Sequence, residues 1–323
     1  MDDLMLNELL IRMSDAELRK MNNKIEKILN GESIQNIDFS KNNIYKELED
    51  YIQAKKIEGK SEGTLAQYKY NISDMLKKVN KPVGYIRTDD IRNYLADLKE
   101  TKQIQDITLD GRRIYLNTFF DWLQINGYVS SNPCALIKPI HFEKKEREPL
   151  NDIEMEKIRA ACATPREKAI IELLYSTGCR VSELCALKLS DIKLNEKEIH
   201  VFGKGKKHRT VFLNARAIVA LSDYLEKRGF ESEYVIASDR APHGGVSTRT
   251  IQKIVKALGE KAKLNSNVFP HRIRHTTATD AINRGMPIEQ VQMLLGHEKV
   301  TTTQIYAKCS KDNLKNSYFK FIT

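Results

Sequence analysis

Tyr306 closes the run Leu294-Leu295-Gly296-His297-Glu298-Lys299-Val300-Thr301-Thr302-Thr303-Gln304-Ile305-Tyr306. Upstream lie Pro270-His271-Arg272-Ile273-Arg274-His275 and Thr177-Gly178-Cys179-Arg180-Val181-Ser182-Glu183-Leu184. Arginines, histidines and a tyrosine are the parts needed to attack a phosphodiester and hold a protein covalently on DNA. A phenol can serve as the nucleophile. Its free pKa is about 10, so at neutral pH it must lose its proton during attack or be acidified by its surroundings. The attacked phosphate gains charge on its nonbridging oxygens, and planar guanidiniums bind such oxygens through paired hydrogen bonds. Arg180 stands just after Gly178 at a helix start, where backbone N–H groups also favour an anion. The departing 5′-oxygen needs a proton donor. Lys204 lies between two glycines in Gly203-Lys204-Gly205-Lys206-Lys207-His208, a run flexible enough to approach DNA closely. The same lysine could instead be a plain phosphate contact, as could Lys206 and Lys207.

These groups need a scaffold, and the periodicities predict a helical one. Residues 1–40 read as two short amphipathic helices, with a capping box at Ser14-Asp15-Ala16-Glu17, too small to carry a core. Residues 41–137 read as an all-helical domain. Its stripes are Ile44, Leu48, Tyr51 and Ile52, then Leu65, Tyr68, Ile72 and Leu76 after Thr64 as cap. Ile91, Tyr94, Leu95 and Leu98 follow Thr88 in the same way, and a last helix runs from Thr108 through Ile114, Phe119 and Leu123 to Gly127. Residues 138–150 are charged, bounded by prolines and aperiodic, as in a linker. A second domain, 151–323, opens with a capping box at Asn151 and Glu154 and a further helix at Thr164-Pro165-Arg166-Glu167 closed by Gly178. Glu198 to Phe202 and Arg209 to Leu213 read as a hairpin with a basic tip. Helices are expected again at 214–228, 247–262, 271–284 and 287–295. The fold class is therefore mainly α with a small β hairpin in the second domain.

Composition narrows the partners. The chain has 323 residues, 41% hydrophobic and 30% charged, with a formal net charge of +10. The basic balance favours an anionic partner, nucleic acid first. No apolar run approaches the ~20 residues of a membrane helix. Asp2 and Asp3 have the wrong charge for a secretory signal. The five cysteines are odd in number and form no CxxC pair, which argues against a disulfide framework or zinc site and fits a cytoplasmic protein. There is no Walker spacing and no acidic cluster at metal-binding spacing, so neither ATP hydrolysis nor two-metal nuclease chemistry is expected.

Residues ~42 to ~315 resemble the tyrosine recombinases of the phage-integrase and Xer family. The resemblance rests on Thr177 to Leu184, Gly203-Lys204-Gly205-Lys206-Lys207-His208-Arg209, His271-Arg272-Ile273-Arg274-His275, Leu294-Leu295-Gly296-His297 and Thr302-Thr303-Gln304-Ile305-Tyr306, in that order. It implies a C-shaped clamp on double-stranded DNA, with a helical SAM-like core-binding domain on one side and the catalytic domain on the other. It further implies Tyr306 as nucleophile, Arg180 and Arg274 as the phosphate-binding arginines, Lys204 as general acid, and His271 and His297 in support. Glu183 is implied as a carboxylate that orients catalytic side chains. Lys206, Lys207, Arg209 and Arg272 remain as DNA-backbone or surface contacts. No cofactor or metal is implied, because the phosphotyrosine conserves the bond energy for religation.

The resemblance also implies a homotetramer on two duplexes, with the tail Ser310 to Thr323 passed to a neighbour and an accessory DNA-bending or directionality factor as a further partner. Integration or excision of a mobile element is the role expected from the ~40 residues ahead of the core-binding domain. Xer-type chromosome-dimer resolution is the alternative. A type IB topoisomerase and a non-catalytic DNA-binding protein are the more distant rivals.

Overall fold

In the computed structural model the described residues are 45–143, 148–203 and 208–296. They fall into two compact units, divided between Lys144 and Lys145. The helix pair expected within residues 1–40 lies outside the described residues.

The first unit is helical: α1 (Lys46–Ile57), α2 (Glu62–Val79), α3 (Thr88–Lys102) and α4 (Asp106–Ile125). Its core gathers the predicted stripes, with Leu48, Tyr51, Ile72, Leu76, Ile91, Leu98, Phe119 and Leu123 all buried. Tyr51 meets Phe119 edge-on at 5.3 Å between ring centroids, which ties α1 to α4. One polar link crosses three helices. Asp74 of α2 accepts from the Tyr94 hydroxyl of α3 at 2.7 Å and from Arg112 Nη1 of α4 at 2.8 Å. A buried guanidinium is tolerated because it is paired in this way.

Three details depart from the periodicity. Ser61, not Thr64, caps α2, its Oγ accepting from the Thr64 N–H at 3.4 Å. Arg87 precedes α3, so Thr88 is the first helical residue and not the cap. Ile114 is 49% exposed, because the inward face of α4 runs through Leu109, Leu116, Phe120 and Leu123.

The second unit contains α5 (Asp152–Ala161), α6 (Pro165–Thr177), α7 (Val181–Ala186), β1 (Ile192–Lys193), β2 (Glu198–Phe202), β3 (His208–Phe212), α8 (Ala215–Lys227), α9 (Thr248–Lys261), α10 (Pro270–Asn283) and α11 (Ile288–Leu295). Both expected capping boxes form, at Asn151 with Glu154 and at Thr164 with Glu167. Ala169, Ile170, Ile171, Leu173 and Leu174 are all buried, so α6 is apolar almost all round and sits at the centre of the unit. It packs against α8 and α10. The sheet is antiparallel in the order β1-β2-β3, with Ile199 opposite Val211 and Phe202 opposite His208. The two-residue β1 is too short to leave a periodic signal.

Candidate active site

The site is built where α6, α7, α10 and α11 end or begin together. Gly178 caps α6 with φ at 57°, a left-handed conformation that suits glycine. A Cβ there would also meet Leu295 Cδ2 of α11 at 3.0 Å. The turn lets the chain reverse and present Arg180 at the start of α7.

Arg180 is held by Glu183. The carboxylate accepts from the Arg180 main-chain N–H at 2.6 Å and from Arg180 Nη1 at 2.9 Å. The anion expected at this helix start is thus supplied, in part, by the chain itself. The Arg180 side chain stays 41% exposed while that of Glu183 is only 3% exposed. Burial alone would raise the Glu183 carboxyl. Hydrogen bonds from Arg209 and from the Arg180 N–H outweigh it and hold the group below its ordinary value.

Arg274 approaches from α10. Its Nη1 donates to Gly178 O at 2.5 Å and its Nη2 to Leu295 O at 2.7 Å. Arg180 Nη2 donates to the next carbonyl, Gly296 O, at 3.2 Å. Arg209 Nε of β3 donates to Leu294 O at 2.8 Å. Three arginines from three elements therefore converge on three successive carbonyls at the C-terminus of α11, where the helix dipole favours cations. The resulting cluster of positive charge suits a phosphate.

His271 lies on the first turn of α10 and is exposed, three residues before Arg274 and hence on the same side of the helix. Tyr175 of α6 donates to Asp280 of α10 at 2.7 Å, and Thr277 Oγ1 donates back to Tyr175 O at 2.8 Å, fixing the two helices against each other.

Two expected DNA contacts are corrected. The Arg209 side chain is only 11% exposed, because its Nη1 and Nη2 grip both Glu183 oxygens at 2.8 Å. Arg272 is 7% exposed and turned inward, donating to Glu148 O at 3.0 Å and Ser266 Oγ at 2.6 Å. Tyr306, His297, Lys204, Lys206 and Lys207 lie outside the described residues. The described part of the hairpin ends at its root, where Phe202 and His208 meet edge-on at 4.5 Å.

One basic surface lies outside the sequence motifs. On α9, Arg249, Gln252, Lys253 and Lys256 are all exposed and share one face, while Ile251, Val255 and Leu258 are buried on the other. The spacing was visible as an amphipathic helix with a cationic outer side. A groove lined by Arg159, Cys162, Ile171, Val219 and Ala220 holds none of the site residues. The chemistry-bearing groups lie instead on helix ends, as suits a long polyanion more than a small ligand. Among the described residues no helix is long and apolar enough to cross a membrane, and no group of acidic, histidine or cysteine side chains could hold a metal.

Comparison with known proteins identifies the family. Residues 145–313 match the phage integrase family, and residues 46–128 match the phage integrase N-terminal SAM-like domain. A tyrosine recombinase XerC of Oceanobacillus iheyensis is 34% identical over 251 residues, which is 74% of this chain and 81% of that protein. A tyrosine recombinase XerC of Leptospira interrogans is 30% identical over 298 residues, 88% of this chain and 95% of that protein. Among solved structures, a lambda integrase dimer bound to a COC′ core site matches with a TM-score of 0.68 at 20% identity, covering 92% of this chain and 89% of that one. At that identity the likeness speaks for the fold. The chain belongs to the phage integrase family of tyrosine recombinases, enzymes that break and rejoin DNA at specific sites through a phosphotyrosine.

Proposed function

We propose that this recombinase acts in Xer-type chromosome-dimer resolution, with Tyr306 as its nucleophile. Mobile-element integration was the role first expected from the residues ahead of the core-binding domain. The relatives favour the alternative. The XerC of Leptospira interrogans and that of Anoxybacillus flavithermus are matched over 95% and 98% of their own lengths.

In this reading the Tyr306 oxygen attacks phosphorus as its proton passes to His271, and the P–O5′ bond breaks. Lys204 gives its proton to the departing 5′-oxygen, leaving a 3′-phosphotyrosine and a 5′-hydroxyl. A 5′-hydroxyl of the partner strand then attacks the phosphotyrosine and releases the phenol. Arg180 and Arg274 neutralise the nonbridging oxygens, with His271 and His297 in support. One observation carries the site assignment: Arg180 and Arg274 end on adjacent carbonyls of Leu295 and Gly296, directly ahead of the segment that leads to Tyr306. The exposed α9 face, with Lys206 and Lys207, tracks the DNA backbone. Both units contribute to holding the duplex, and four protomers exchange tails Ser310 to Thr323 during synapsis.

Two experiments test the reading. The chain is incubated with fragmented DNA of its own host, and covalently trapped fragments are recovered and rebuilt as nicked suicide duplexes. The wild type should accumulate an adduct at Tyr306 and Tyr306→Phe should form none; an adduct persisting in that variant would sink the assignment. Deleting the gene in the host should leave unresolved chromosome dimers at division. Normal division, with an integrated element that can no longer excise, would return the role to mobile-element integration.

A further inference from the structure

The Arg209 guanidinium, expected to meet DNA, instead points inward. Its Nη1 and Nη2 each lie 2.8 Å from a Glu183 oxygen, and its Nε lies 2.8 Å from Leu294 O. The same two carboxylate oxygens hold the Arg180 N–H and Arg180 Nη1, and Arg180 Nη2 reaches Gly296 O. These contacts close a ring. It runs from Arg209 to Glu183, from Glu183 to Arg180, from Arg180 to Gly296, and back along the chain through Leu294 to Arg209. β3 contributes Arg209, which follows Lys207 by two residues in sequence. α7 contributes the phosphate-facing arginine. The end of α11 leads on towards Tyr306.

We infer that Arg209 is a positioning residue for strand cleavage: it fixes the Glu183 carboxylate, and through it the Arg180 guanidinium, against the C-terminal carbonyls of α11. The inference rests on the cleavage role proposed for Arg180 and Tyr306. A free carboxylate with only Arg180 as partner can rotate and carry that arginine with it. The Arg209 fork occupies both oxygens in one plane, and its third donor ties that plane to α11. Lysine has no such fork. The tight fit at Gly296 supports the same view, because a Cβ there would come within 3.0 Å of Arg209 Cδ. The same contacts tie β3 to α7 and to the end of α11.

The test is single-turnover cleavage by the full chain on the trapped host sequence, rebuilt as a nicked suicide duplex. Amplitude reports the active fraction and the rate constant reports the chemistry, so partial misfolding cannot imitate a slower step. At saturating DNA, Arg209→Ala and Arg209→Lys should both cleave ~10–100-fold more slowly, by analogy with loss of the outer-shell partners that orient metal ligands. DNA affinity should stay at the wild-type value. Arg209→Ala combined with Glu183→Gln should be no slower than the slower single variant, because both act through one link. A wild-type rate constant in Arg209→Lys overturns the inference, and this variant decides the matter if Arg209→Ala does not fold. So does the opposite split, in which the saturated rate is kept while affinity falls and the salt slope drops by ~1, the mark of a phosphate contact. If the wild type itself forms no adduct, the proposed function fails and not Arg209.

Discussion

Arg274 and Arg180 donate to neighbouring carbonyls of one helix end, Leu295 O at 2.7 Å and Gly296 O at 3.2 Å, yet they differ sharply in exposure. Arg274 is 2% exposed, whereas the Arg180 side chain is 41% exposed. Truncating either should cost cleavage alike but stability unequally. Cleavage by Arg180→Ala and by Arg274→Ala should each fall ~10²–10³-fold, by analogy with losing one oxyanion donor. Arg274→Ala also strips the buried carbonyls of Gly178 and Leu295 of a donor, at ~1–3 kcal/mol for each group left unsatisfied. Denaturant midpoints should therefore drop clearly for Arg274→Ala and little for Arg180→Ala. Equal midpoints would mean that the Arg274 contacts do not hold α10 to α11.

The Glu183 carboxylate gives the site a pH signature. Its folded pKa lies below the ~4.3 of a free glutamate. The unfolded chain then binds the extra proton at acid pH, so ionised Glu183 stabilises the fold above the free value. That contribution is lost as pH falls through the folded pKa. The stability gap between wild type and Glu183→Gln should be full at pH 7 and should close as pH drops below ~4.3. Urea titrations across that range would show it. A gap that is constant with pH would remove charge from the account and leave shape alone.

How far the sequence foretold this site depends on how local each signal is. Asn151 with Glu154, and Thr164 with Glu167, were legible because both partners lie within one helical turn. Glu183 with Arg180 was legible for the same reason. Arg209 was misread because its partners, Glu183 and Leu294, are 26 and 85 residues away. Its neighbours Lys206 and Lys207 made a basic hairpin look uniformly outward-facing. Arg272 was misread likewise. It lies two residues before Arg274, a spacing that turns it towards Glu148 and Ser266, away from the carbonyls of α11.

Gly296 should tolerate no side chain. Its φ is 65°, and alanine in that conformation costs roughly 1–2 kcal/mol before any contact is counted. A Cβ would also press on Arg209 Cδ at 3.0 Å. Gly296→Ala should lower the midpoint of thermal unfolding and slow cleavage by more than Gly229→Ala. Gly229 also has positive φ, 70°, but nothing lies within 4 Å of its Cβ position. Strain is common to the pair, so the difference between them reports the contact with Arg209. Equal effects on cleavage would show that strain alone is responsible.

The α9 face allows a separation of affinity from chemistry. Ser247 caps the helix, its Oγ accepting from the Thr250 N–H at 3.1 Å, and the first turn carries no acidic residue. Arg249 thus stands at a helix start whose first turn holds no carboxylate to repel a phosphate. Lys253 and Lys256 follow on the same face, the latter 3.6 Å from Glu260 in an exposed pair that water screens. A lysine that meets a phosphate releases counterions, so each should add ~1 to the slope of log affinity against log salt. Lys253→Ala should weaken binding to all DNA evenly and reduce that slope. Arg249→Ala should do more if its fork reads a base edge, lowering the preference for the cognate duplex over a scrambled one by ~1–3 kcal/mol. Neither residue touches the Arg180–Glu183–Arg209 ring, so single-turnover rates at saturating DNA should stay at the wild-type value. A fall in that rate without a change in affinity would place α9 in the cleavage step. Unchanged affinity together with an unchanged salt slope would show that DNA does not lie along this face.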